Sequence, residues 1–83
     1  MEPMSNARPC SITLHTHDGP IETDTDHLLS AGIAVDTDLS DPLVVMSYVT
    51  GRLQNFGHFA FTTEDGVEAL LRHAILRISV RPG

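Results

Sequence analysis

His15, Thr16, His17 and Asp18 form the densest cluster of side chains suited to chemistry. On an extended chain, residues two apart share a face, so both imidazoles can approach one ion. Asp18 adds an oxygen donor, and His27 or His58 are candidates to complete the shell. The spacing is shared with the His-x-His pair of metal-dependent hydrolases, but this chain has no second ligand pair at fixed spacing. The alternative is two exposed histidines beside a turn.

A second cluster is acidic. Asp18, Glu22, Asp24, Asp26, Asp36, Asp38 and Asp41 fall in one stretch that contains no Arg or Lys. Asp36-Thr37-Asp38-Leu39-Ser40 begins like a calcium loop. The sixth position is Asp41 instead of glycine, and the twelfth is Ser47 instead of a bidentate glutamate, so an EF-hand is excluded. What remains is an acidic surface that suits a basic protein partner and steers its approach.

Other chemistries lack their parts. No Gly-x-Ser-x-Gly element presents a nucleophile. The chain has no lysine and its glycines are scattered, which removes a phosphate loop. The Asp-Ser-Leu attachment signature of carrier proteins is absent. The expectation is therefore no enzymatic activity and no cofactor. A net charge of −6 argues against direct contact with nucleic-acid phosphates, which calls for a basic stripe.

With 83 residues the chain is one domain, and a domain so small has a thin stability margin. Self-association into a homodimer is one way to widen it. The single cysteine, Cys10, rules out an internal disulfide framework and reads as an incidental thiol near a loose terminus. There is no apolar signal-peptide core and no run long enough to span a membrane, so a cytoplasmic protein without membrane contact is expected.

The elements that must position these residues follow from pattern. Residues 1–10 read as a flexible tail and 11–80 as a single α+β domain. Ser11 to Thr16 alternates as a strand, Asp18-Gly19-Pro20 is a turn, and Ile21 to Thr23 returns, making an N-terminal β-hairpin. Asp26 to about Ala34 reads as a short helix. Pro42 to Phe56 is read as a helix by pattern, started by Asp41-Pro42 and stopped by Gly57, although its propensity is that of a strand. Phe59 and Phe61, on an extended segment, point one way into the core.

The last element is read as an amphipathic helix over about 63–78, on which the hairpin packs. Val67, Leu70, Leu71, Ala74, Ile75 and Ile78 recur at helical spacing. A competing reading makes Ile75 to Val80 a strand, since Leu76, Ile78 and Val80 alternate with Arg77 and Ser79.

The expected function is a small acidic, non-enzymatic protein-binding module, an inhibitor or regulator that occupies a basic, nucleic-acid-handling surface of its partner. Inhibitors of phages and mobile elements, anti-CRISPR proteins among them, share its size and charge, though not its residues. The rivals are a metal-binding protein built on His15, His17 and Asp18, and a homo-oligomeric structural module.

Overall fold

A computed structural model describes residues 9–29 and 37–83. Its central strand is β1, Ser11–Thr16. Ile12 and Leu14 are both fully buried, because alternate positions of one strand face one side. The strand ends in a two-residue turn. Thr16 Oγ1 accepts from the Asp18 N–H and donates to the Gly19 carbonyl, and Gly19 takes φ 117°, open to glycine and few others. The chain returns as β2, Gly19–Asp24, paired antiparallel from Thr16↔Gly19 to Ser11↔Asp24.

Asp24 then caps a short 3-10 turn, Thr25–His27, accepting from the Asp26 N–H. Buried Thr25 clamps Cys10 twice: its N–H donates to the Cys10 carbonyl and its Oγ1 accepts from the Cys10 N–H. Cys10 is fully buried and belongs to the core, not to a tail. The helix expected over 26–34 begins as this 3-10 turn. Leu28 is extended and bridges Phe61 instead of continuing a helix, and residues 30–34 lie outside the described residues.

Helix α1 spans Pro42–Phe56 as its pattern predicts. Asp41 accepts from the Leu43 N–H at the start, and Gly57 closes the end in the left-handed region at φ 77°, its N–H on the Leu53 carbonyl. Val45, Val49 and Leu53, spaced by four, form its buried stripe. This pattern outweighs the strand propensity of its valines because the stripe meets Phe59 and Phe61 in one core.

Strand β3, His58–Thr63, supplies those two rings, which stack with centroids 6.0 Å apart. Here the C-terminal expectation fails. In place of a helix over 63–78 the chain forms β4, Gly66–Leu71, a 3-10 turn at Arg72–Ala74, and β5, Ile75–Arg81. Two causes are visible. Glu64-Asp65 forms a two-residue turn closed by the Thr63↔Gly66 pair, and Gly66, just after it, sits at φ 140°, a conformation that favours glycine. The apolar residues then serve two period-2 strands offset by the 3-10 turn, and that offset imitates a 3.6-residue spacing. Val67 and Leu71 of the supposed stripe are 63% and 53% exposed. The competing strand from Ile75 is the one formed, and no Gly or Pro precedes it because the 3-10 turn makes the bend.

Strand β5 pairs antiparallel with β1, giving a three-stranded sheet of order β2-β1-β5, while β3 and β4 form a separate two-stranded sheet. Among the described residues the architecture is thus one α-helix and five strands in two sheets, a small α+β domain. No helix among the described residues is long and apolar enough to cross a membrane.

Candidate functional site

Pairing fixes which side chains share the outer face of the three-stranded sheet. Ile12 and Leu14 point to the core with their neighbours Val80, Ile78, Thr23 and Ile21. The opposite face therefore carries Ser11, Thr13 and His15 in the middle, Glu22 and Asp24 on the β2 side, and Arg77, Ser79 and Arg81 on the β5 side. Apart from Pro20, which pairs with His15, the face is polar and divided by charge, acidic at one edge and basic at the other.

His15 lies on this face with Nε2 3.5 Å from Ser79 Oγ. His17 and Asp18 belong to the exposed turn beyond the strand. Among the described residues, no group of three or more His, Cys, Asp or Glu is arranged to hold a metal ion, His15, His17 and Asp18 included. The i, i+2 argument fails locally because β1 ends at Thr16, so His17 no longer continues the strand's alternation.

The acids separate into roles. Asp24 caps the 3-10 turn and its Oδ1 lies 2.6 Å from His27 Nδ1. Asp41 caps α1. Asp38 accepts from both the hydroxyl and the N–H of Ser40, and those two hydrogen bonds hold its carboxyl below the usual aspartate range. Burial, followed by the charges of Asp41 and Asp38, pushes the Cys10 thiol up, which disfavours the reactive thiolate. Asp18, Glu22 and Asp26 are exposed and make no hydrogen bond through their carboxylates among those described. Asp36 lies outside the described residues.

Two hollows flank the 3-10 turn. One, of about 390 Å³, runs between β2 and the end of β3 and is lined by Glu22, Asp24, His27, Phe61, Thr62 and Glu64 among others. The other, of about 320 Å³, holds Asp26 and Asp38 with Thr25 and Ser40. Among the described residues no arginine lines either. The structure thus brings Glu22 together with Asp24, and Asp26 with Asp38, while Asp18 stands apart at the hairpin tip. Glu64 was missed in the sequence. Reading Gly66 as the residue that follows a hairpin turn places Glu64 in the turn and returns it to the surface.

A scan against protein-family models, a search of curated proteins and a search of solved structures each find no match for this chain.

Proposed function

We propose that this protein is a small non-enzymatic binding module that receives a basic segment of a partner protein in the acidic cleft between β2 and the end of β3. One observation carries the reading: Glu22 and Asp24 of β2 and Glu64 of the β3–β4 turn line a single cleft of about 390 Å³ that holds, among the described residues, no basic side chain except His27. Asp24 is engaged with His27, but Glu22 and Glu64 are exposed at the open cleft, where their charge lowers the potential and draws in arginine or lysine. In the finer form of this proposal, the acidic rim takes the place of nucleic-acid phosphates on the partner's basic surface, and the module acts as an inhibitor or regulator.

The test is an affinity capture with mass spectrometry, comparing the native chain with a Glu22→Gln, Asp26→Asn, Glu64→Gln variant. These three carboxylates make no capping bond, so the fold is left alone. A captured protein with a basic surface, lost with the variant and released as salt slows association, supports the proposal. Equal capture by both chains, or binding indifferent to salt, removes the acidic cleft from the interface.

A further inference from the structure

We infer that the outer edge of β4 is a dimerisation surface, on which a second copy of this chain pairs antiparallel and joins two hairpins into one four-stranded sheet. Hydrogen-bond parity shows which backbone groups are available. The Arg72 N–H donates to the Gly57 carbonyl at 2.9 Å, and these two residues continue the β3–β4 register in which His58 faces Leu71. In an antiparallel ladder, hydrogen-bonded pairs alternate. Leu70, Glu68 and Gly66 therefore turn their backbone groups toward β3, and Val67, Ala69 and Leu71 turn theirs outward. Among the described residues, no strand pairs with that outer edge.

The side chains agree with the backbone. Leu70 packs against the core beneath Phe59, its direct neighbour. Val67, Ala69 and Leu71 occupy the other face and all are exposed. An apolar, uncovered edge is what folded proteins usually avoid, by proline, by charge or by covering it. The other two free edges are protected in this way. On β2, Pro20 has no N–H to donate and Glu22 and Asp24 are charged; β5 carries Arg77 and Arg81. Strand β4 has neither proline nor lysine, and its one charge, Glu68, lies on the Leu70 face.

The same edge is complementary to itself. With a two-fold axis at Ala69, Ala69 meets Ala69 of the second copy, Val67 meets Leu71, and Glu68 meets Leu70. This register joins outward-facing groups to outward-facing groups at each hydrogen-bonded pair, as parity requires. It sets a small side chain at the axis and an apolar pair on either side of it. On the other face it sets Glu68 diagonally across from both Arg72 and Glu68 of the other copy, at about 7–8 Å, so attraction and repulsion offset there and the apolar pairs carry the match. A foreign strand has no such built-in match, so the occupant we assign is a second copy.

Sedimentation of the full chain over a concentration series tests this. The 9.0 kDa chain is expected to double its mass with a dissociation constant of about 10–100 µM, in keeping with a small interface. Ala69→Lys puts like charges together at the axis and should leave a monomer with an unchanged thermal melt. Val67→Lys and Leu71→Glu should each be monomeric alone and form a heterodimer when mixed, because each lysine then faces a glutamate. Amide exchange at Val67, Ala69 and Leu71, but not at Glu68 or Leu70, should slow as concentration rises. A native chain that stays monomeric at millimolar concentration overturns the proposal. So does a dimer that survives Ala69→Lys, or one that dissociates as salt is raised, since each copy carries −6 and screening favours association across an apolar edge.

Discussion

The two sheets of this molecule treat their surfaces in opposite ways. The three-stranded sheet buries one face completely at its centre, with Ile12 and Leu14 at 0% exposure, and covers the other with polar and charged side chains. The β3–β4 hairpin buries its inner strand through Phe59 and Phe61 but leaves Val67 and Leu71 of its outer strand more than half exposed. A two-stranded sheet is marginal by itself. This one is held through β3, which touches both α1 and the stretch around Leu28. The contrast separates two kinds of apolar residue that are identical in sequence: those that hold the fold together and those that the fold leaves free to meet something else.

The largest expected effect tests that division directly. Leu14→Ala removes a fully buried side chain from the central strand and should cost about 2–5 kcal/mol. At about 0.05–0.15 kcal/mol per residue, a chain of this size has about 4–12 kcal/mol in total, so a large part of its stability goes and a thermal or urea melt should shift markedly toward unfolding. Leu71→Asp, a harsher chemical change, should move the melt by less than about 1 kcal/mol, because its site is half open to water. If the two variants were equally damaging, Leu71 would belong to the core and the hairpin would not be a separate surface.

How much of this was legible in the sequence divides along the same line. The first hairpin was, because Ile12 and Leu14 alternate strictly and Asp18-Gly19-Pro20 marks its turn. Helix α1 was, because Asp41-Pro42 and Gly57 bracket a four-residue spacing of Val45, Val49 and Leu53. The C-terminal third was not. Two strands in succession placed Val67, Leu70, Leu71, Ala74, Ile75 and Ile78 at helical intervals, and periodicity does not distinguish that coincidence from a helix when the turn between strands contains no Gly or Pro. The one discriminating residue was Gly66, which a helix tolerates poorly and a hairpin turn needs. Of the acids that line the two hollows, Glu22, Asp24, Asp26 and Asp38 already stand out by composition. Their grouping into two hollows, and the addition of Glu64, depended on strand pairing that no local pattern carries.

Gly66 supplies an intermediate effect that sharpens the comparison. A Cβ there meets nothing within 4 Å, so crowding is not the issue. At φ 140° the backbone alone is unfavourable for any side chain, and Gly66→Ala should cost about 1–3 kcal/mol. Amide exchange should locate the loss in β3 and β4, with protection retained in β1 and β2. Uniform loosening would mean that the two sheets unfold as one unit.

The smallest effect lies on the acidic side and is a matter of titration. Asp38 receives two hydrogen bonds from Ser40, which favour the charged form and depress its folded pKa below the ordinary 3.8. A depressed carboxylate contributes stability that is present above the unfolded value and is lost as pH falls through the folded one. The window is therefore below about pH 4, and at neutral pH the contribution is constant. Since Asp38 is exposed, water screens the interaction and the melt should barely move. The sensitive readout is carboxyl-carbon NMR. Asp38 should titrate below 3.8, and Ser40→Ala should return it toward that value by removing the hydroxyl bond while keeping the backbone one. An Asp38 that already titrates at the ordinary value in the native chain would mean that the Ser40 turn is not held in solution. The hollow that Asp38 shares with Asp26 would then lose one of its two carboxylates as a fixed feature, and the acidic surface would reduce to the cleft lined by Glu22, Asp24 and Glu64.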